Sequence, residues 1–245
     1  MRTLSSVIGM LLFFSLFSQR NDLLWLQNVT GSGNSVPISV VMDLAGNHYV
    51  AGNFASTITI GSNNYTSAGG QDIYVIKYNN QGQVLWVITI GGASAENISG
   101  IALSPDGNFF YLGGSFQSNN CNFGGTILAT TGLNDVFLAK YSTSDGALSW
   151  VIRSAYGTTQ QLVGNINVDN QGNIIQIGKY IDNVTFYGGV ITLTSPHVGV
   201  QQNYVSKFDE NGNLIWAKHF TGTNNNSFIR NVSADNNYNY FSGFY

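Results

Sequence analysis

Few residues of the types that usually do chemistry occur in this chain, and they are scattered. His48, His197 and His219 are too far apart in the sequence for the usual spacing of a zinc site. Cys121 is the single cysteine, so it forms no disulfide within the chain, and no basic neighbours in the sequence indicate a reactive thiolate. We therefore predict no metal site and no thiol chemistry.

Carboxylates beside glycine are the remaining candidates for ligand binding. Asp145 and the segment 209–213 resemble pieces of calcium loops, but such loops need several oxygen ligands and a distal bidentate glutamate. Glutamate occurs only as Glu96 and Glu210. Ser32 lies between two glycines, yet no helical pattern follows it, so it is not the nucleophile of a strand-to-helix turn. The sequence predicts turn roles for these residues, with no catalytic residue and no cofactor.

Composition narrows the classes of partner. Nine Lys and Arg against twelve Asp and Glu leave a net charge of -3, and only 9% of residues are charged. A chain with so few basic residues has no footprint for a phosphate backbone, which argues against nucleic acid. Because 43% of residues are hydrophobic, the chain can bury a core and is predicted to fold.

The first 20 residues have the pattern of a secretory signal peptide. Arg2 precedes an apolar run from Val7 to Phe17, and the first acid is Asp22. A membrane span needs about 20 apolar residues, so this run is too short for one. We predict a signal peptide over 1–20 and a secreted or cell-surface protein without a membrane span. The alternative is a first buried strand or helix.

The rest of the chain, 21–245, repeats itself. Tryptophans recur at intervals of 61, 64 and 66 residues and divide the chain into repeats 25–85, 86–149 and 150–215 and a partial repeat 216–245. The four are Trp25, Trp86, Trp150 and Trp216. We interpret them as structural repeat positions.

Two further sets of residues recur with the tryptophans. Gly46, Gly107 and Gly172 lie in Asp- and Asn-rich turns between apolar runs, where a short hairpin needs a positive φ. Asp72 and Asp135 each open an apolar unit of similar sequence. These residues too are predicted to be structural repeat positions.

The apolar runs indicate the fold class. Residues 73–76 and 85–88 are consecutive apolar residues, so both faces of these strands are expected to be buried. Each period holds four such strands, and no helical pattern occurs. We predict an all-β fold, a β-propeller of four-stranded antiparallel blades, in an incomplete ring of about three and a half repeats. A β-solenoid is the second choice. An incomplete ring predicts a fragment of a longer protein, or self-association through open blade edges.

Three stretches of the repeat resemble a known family. The pattern Asp-x-x-Gly-Asn-x-Tyr-Val-x-Gly from Asp43, the unit from Asp72 to Gly82, and Gly91-Gly92 look like the SBBP repeats of secreted and cell-surface β-propeller proteins. The resemblance covers Trp25 to Tyr245 and implies the propeller fold. It implies no activity.

Two classes of function follow. The first is a non-enzymatic binding or scaffolding module of an exported surface protein, which presents polar loops to a polysaccharide or protein partner. The alternative is a propeller-based lyase or hydrolase with its site at the central channel. An enzyme would break the repeat symmetry with acids or histidines, whereas charges here mainly recur, as Lys77, Lys140 and Lys207 do. The sequence favours the module.

Overall fold

The computed structural model describes residues 27–223, 228–234 and 239–244, and all regular structure in these residues is β-strand. In chain order the strands are β1 (Thr30–Gly31), β2 (Ser35–Met42), β3 (His48–Ile60), β4 (Asn63–Tyr78), β5 (Val84–Ile90), β6 (Glu96–Leu103), β7 (Phe109–Phe116), β8 (Cys121–Asn122), β9 (Ile127–Leu128), β10 (Asp135–Ser142), β11 (Leu148–Tyr156), β12 (Gln161–Val168), β13 (Ile174–Ile181), β14 (Asn183–Phe186), β15 (Thr192–Thr194), β16 (Gln201–Phe208), β17 (Leu214–Phe220), β18 (Phe228–Ala234) and β19 (Asn239–Phe244). The predicted signal peptide and Trp25 lie outside the described residues.

Hydrogen bonding groups these strands into three antiparallel sheets and two hairpins, one of which pairs β8 with β9. The first sheet has the order β2-β3-β4-β5, the second β6-β7-β10-β11 and the third β12-β13-β16-β17, while β18 and β19 form a terminal hairpin. Short strands add to two of them, since β1 pairs with β3, and β14 pairs with β11. Four-stranded sheets of consecutive antiparallel strands, repeated along the chain, are the blades of a β-propeller. The predicted fold is confirmed, with three and a half blades in the described residues.

The first strand of each sheet lies on the inside of the arc. β2, β6, β12 and β18 contact one another in succession, and the strands that carry the tryptophans are the last of each sheet. Each inner strand has a β-bulge at the same place in its pairing, which increases the local twist. The bulged residues are Ile38, Ser99, Gly164 and Arg230.

The core lies between the sheets, because both faces of middle strands such as β10 are buried. Ile73 and Val75 of the first sheet pack with Phe137 of the second, in the interface that we call the first seam. Leu138, the neighbour of Phe137, faces the opposite way, into the second seam between the second and third sheets. Packing each sheet against two neighbours removes strands from water without any helical layer.

The turn glycines have the backbone conformation that their sequence predicts. The φ angles of Gly46, Gly107 and Gly172 are 80°, 71° and 84°. In the first and third of these turns an aspartate, Asp43 or Asp169, accepts a hydrogen bond from the backbone N–H four residues later. This side chain to backbone bond closes the turn locally.

Trp86, Trp150 and Trp216 lie in the fourth strands of the three sheets, β5, β11 and β17. The sequence repeats begin at these residues, so their predicted limits fall inside the last hairpin of each sheet. Hydrogen bonds join the third and fourth strands, so the physical unit starts instead at β2, β6, β12 and β18.

Candidate binding site between the first and second sheets

One end of the first seam is closed by a lysine and a tryptophan that share an acceptor. Lys77 Nζ and Trp86 Nε1 both donate to the backbone carbonyl of Thr143, at 2.8 and 3.3 Å. Thr143 belongs to the turn after the third strand of the second sheet, so the bonds join the two sheets. A carbonyl has two lone pairs and can accept both bonds.

The second seam is closed in the same way. Lys140 Nζ and Trp150 Nε1 donate to the carbonyl of Glu210, at 3.2 and 3.3 Å, and Glu210 lies in the corresponding turn of the third sheet. We call this arrangement the Lys-Trp clamp. It explains why the tryptophans recur with the lysines.

The third copy of the clamp has no acceptor among the described residues. Lys207 Nζ instead lies 2.8 Å from a carboxylate oxygen of Asp169, within its own sheet. Trp216 packs against a buried cluster that includes Val205 of its own sheet and Val232 of the terminal hairpin, and within the described ranges its indole N–H makes no hydrogen bond. The terminal hairpin holds only the first two strands of a sheet, so it has no turn after a third strand.

The opposite end of the first seam carries a buried carboxylate. Asp72 is 3% exposed, and its Oδ2 accepts the backbone N–H of Ala68 at 2.8 Å. Its Oδ1 has no hydrogen-bond partner in the described part of the chain. Burial, the largest influence, raises the pKa of Asp72, and the negative charge of Glu96 also raises it. The hydrogen bond from the Ala68 N–H lowers it, and the resulting pKa is about 6.

A second carboxylate lies across the seam from Asp72. Glu96 is fully buried at the start of β6, where Oε2 accepts the N–H of Gly92 at 2.7 Å and Oε1 that of Ser118 at 3.3 Å. The buried thiol of Cys121 lies near both acids, and burial followed by their negative charges raises its pKa. This thiol therefore stays protonated.

A cavity of about 400 Å³ opens over Asp72. Its wall includes the hydroxyl of Thr89 and the side chains of Asn120 and Asn122. Gly91 also lines it, and a Cβ there would come within 2.6 Å of all three carboxylate atoms of Asp72, so glycine leaves room for the acid. The wall of the cavity thus contains one buried carboxylate among neutral residues.

Strand register identifies the matching positions in the second seam. Thr89 lies opposite Tyr74, two residues after Asp72, and Arg153 lies opposite Phe137, two residues after Asp135. Arg153 therefore occupies the place of Thr89.

The second carboxylate has a cation beside it. Asp135 is fully buried, and its Oδ2 accepts the Thr131 N–H at 2.8 Å and lies 3.4 Å from a guanidinium nitrogen of Arg153. Its Oδ1, like that of Asp72, has no hydrogen-bond partner among the described residues, so the two acids differ in the nearby cation. The guanidinium also stacks on Tyr156, 4.3 Å from the ring centre. Asp135 is thus neutralised by its own sheet, whereas the ion pairs of the described residues, Arg153 with Asp135 and Lys207 with Asp169, leave out Asp72.

The second acid of the first seam is also absent from the second seam. Gln161 takes the place of Glu96. Each is the first residue of an inner strand, and each lies opposite the last aromatic residue of the neighbouring strand, Tyr180 for Gln161 and Phe116 for Glu96. In the third sheet, register places Gln202 where the first two sheets have aspartate, and its amide exchanges two hydrogen bonds with Gly222. Within the described residues the carboxylate end of the first seam therefore combines two acids, while the second seam pairs one acid with one arginine.

The sequence motif places Asp72 and Asp135 at one repeat position but does not show this difference. The residues that separate them, Thr89 and Arg153, lie three residues after Trp86 and Trp150, outside the motif that marks the repeat. Aligning the copies on tryptophan and comparing the third residue beyond it would have found them.

Within the described ranges, no three His, Cys, Asp or Glu side chains come together as a metal site. In the same ranges no helix has the length and hydropathy of a membrane span.

Known proteins offer limited comparisons. No protein-family model matches the chain. It is 31% identical over 196 residues to an uncharacterized WD repeat-containing protein of Acanthamoeba polyphaga mimivirus, an alignment that covers 68% of this chain and 14% of that protein. This chain is a β-propeller repeat protein, and it spans only a small part of that relative's length.

Two solved structures show a distant likeness. The Swd1 β-propeller domain from Myceliophteria thermophila has 10% identity and a TM-score of 0.33, covering 85% of this chain and 62% of that one. BamB from Moraxella catarrhalis has 11% identity and a TM-score of 0.21, covering 82% of this chain and 85% of that one. The sheet topology of the chain itself identifies the fold.

Proposed function

We propose that this protein is a non-enzymatic binding or scaffolding module that engages a protein or polysaccharide partner at the cavity of the first seam. The observation that carries the proposal is the buried carboxylate of Asp72, which lines a cavity together with threonine and asparagine residues and takes part in neither ion pair of the described residues. A buried polar group without a partner costs free energy, and a bound ligand that pairs it recovers that cost.

The central cavity supports a binding role over the catalytic alternative. The first strands of the three sheets enclose a space of about 460 Å³. Among the described residues that line it, every side chain is neutral, and the polar ones are Ser39, Asn165 and Asn167. A lyase or hydrolase site there would need an acid or a base.

Export of the module, to the cell surface or beyond it, is part of the proposal. The sequence pattern of residues 1–20 supports export, and the repeat motif supports a surface protein with SBBP-type repeats. N-terminal sequencing of the protein secreted by its expression host tests the export.

Binding is tested by presenting the chain to a peptide array and a glycan array. We expect at least one ligand class to bind, and Thr89→Phe to abolish binding because the new ring fills the cavity beside Asp72. Thr194→Phe is the matched control, since Thr194 is also exposed on a strand but belongs to β15, away from the cavity. Equal binding by both variants would place the partner elsewhere, and no ligand on either array would overturn the proposal.

Self-association is a further part of the proposal, supported by the inner strand of the first sheet. Val36, Val40 and Met42 project from β2 with about half or more of each side chain exposed, at 53%, 60% and 61%. Apolar residues along an open blade invite a second copy. Light scattering after size-exclusion chromatography should show a mass that rises with concentration in the wild type and less in Val40→Lys; a constant monomer mass would contradict this part.

A further inference from the structure

We propose that the first-seam cavity binds the guanidinium group of an arginine side chain from a partner protein. The inference rests on the proposed binding function and names the chemistry that the cavity recognises. The two seams differ in the charges that they bring together at the carboxylate end.

The first step is the uncompensated charge. Asp72 and Glu96 lie close enough for the charge of one to act on the other, and the ion pairs of the described residues involve neither acid. Glu96 accepts two backbone N–H groups, whereas Asp72 accepts one and lines the cavity. A cationic ligand in the cavity would pair with the carboxylate of Asp72.

The second step is that the chain itself contains the pairing. In the second seam Arg153 reaches Asp135 from the strand position that Thr89 occupies in the first seam. The same guanidinium donates to the carbonyl of Ala129 at 3.2 Å. Arg153 thus shows which group this end of a seam accommodates, and guanidinium geometry suits a carboxylate better than ammonium does.

The third step is space. The second seam has a cavity of about 500 Å³ of its own, and Arg153 and Tyr156, which stack on each other, form part of its wall. Counted from the tryptophan of each sheet, the corresponding residues of the first seam are Thr89 and Gly92, whose side chains are much smaller. The place beside Asp135 that the guanidinium of Arg153 occupies is therefore open beside Asp72, and a side chain from outside can enter it.

A divalent cation fits these oxygens less well. Calcium takes six to eight oxygen ligands, and here both oxygens of Glu96 and the Oδ2 of Asp72 already accept backbone N–H groups. The Oδ1 of Asp72 is the carboxylate oxygen left over. One such oxygen suits a hydrogen-bond donor.

The test is a titration of the full chain, followed by amide NMR, with the capped peptide acetyl-Gly-Arg-Gly-amide. The matched ligand carries citrulline, a neutral isostere, in place of arginine, and calcium chloride is added in a separate arm. We expect the arginine peptide alone to shift the amides of Ala68, Thr89 and Gly92. Equal binding of the citrulline peptide, or shifts with calcium and none with arginine, would overturn the inference.

Two variants sharpen the result. Asp72→Asn should weaken the arginine peptide about tenfold, because one charge-assisted hydrogen bond is lost. Thr89→Arg should block the peptide by supplying a guanidinium from within, and its exposed position means that it keeps the fold. Asp145→Asn, at an exposed turn carboxylate, is the control and should bind as the wild type does.

The outcomes separate this inference from the proposed function. A glycan or an arginine-free peptide that binds on the arrays and is lost in Thr89→Phe would leave the module standing and overturn the arginine inference. Absence of every ligand from both arrays, together with no shift by the arginine peptide, would overturn both.

Discussion

The first and second seams are alike at one end and different at the other. Both are closed by the Lys-Trp clamp, and in each the donors come from one sheet and the carbonyl from the next. At the other end the second seam pairs Asp135 with Arg153, whereas the first leaves Asp72 facing a cavity. The clamp holds neighbouring sheets together in both seams, so repetition preserves it. The carboxylate end is free to vary and can become a site.

The largest difference between the seams is expected in how folding stability depends on pH, because Asp72 titrates in the first seam. Its pKa is about 6 in the folded protein, against an ordinary value of 3.8 for an aspartate in water, so the folded state binds more protons between these values. Stability therefore falls as the pH rises through this window. At about pH 7.5 the Asp72→Asn variant should be more stable than the wild type by about 2 kcal/mol, with little difference near pH 4.

Urea unfolding at several pH values measures this effect. Asp145→Asn is the control: hydrogen bonds, first that from the Ala147 N–H, lower the pKa of its exposed carboxylate, so the change should leave the pH profile above about pH 5 as it is. An unchanged profile in Asp72→Asn would mean that the two seams do not differ in this way.

The next largest effect concerns the cation of the second seam. Arg153→Met leaves Asp135 buried without its guanidinium and should cost about 1.5 kcal/mol, less than a fully buried pair because the arginine is partly exposed. Thr89→Met, the same substitution at the matching position of the first seam, should change stability by less than about 0.5 kcal/mol. Equal losses in urea unfolding would show that Arg153 does not distinguish the seams.

The smallest effect should be common to both seams. Trp86→Phe and Trp150→Phe each remove one hydrogen bond to the next sheet and should each cost about 1 kcal/mol. Trp216→Phe removes an indole whose N–H makes no hydrogen bond in the described ranges, so it should cost less than either. Thermal unfolding of the three variants gives the comparison, and a Trp216→Phe loss as large as the others would contradict the role of the clamp.

The fold could be predicted from the sequence because its signals are local. The positive φ of Gly46 and Gly172 follows from the turn residues around them, and consecutive apolar residues such as those at 73–76 require cover on both faces. Repetition of these local signals at a fixed period is enough to indicate stacked blades.

The candidate site could not be predicted in the same way. Asp72 and Asp135 head units of nearly the same sequence, so the motif treats them as equal. The motif aligns the third unit on Asn203, whereas register places Gln202 at the aspartate position. Only the pairing of β4 with β5 and of β10 with β11 shows that Thr89 and Arg153 decide what each acid meets.

Local sequence was enough to set the class of structure, because turn chemistry and two-sided burial of strands act over a few residues. Tertiary packing decided which carboxylate is neutralised, which one faces a cavity, and which carbonyl each lysine and tryptophan shares. Those outcomes depend on contacts between residues up to 70 positions apart, as in the bond from Lys140 to Glu210. The strength of a charge's interactions depends on the distance to its partner and on its burial, and both are set only when the sheets are packed together.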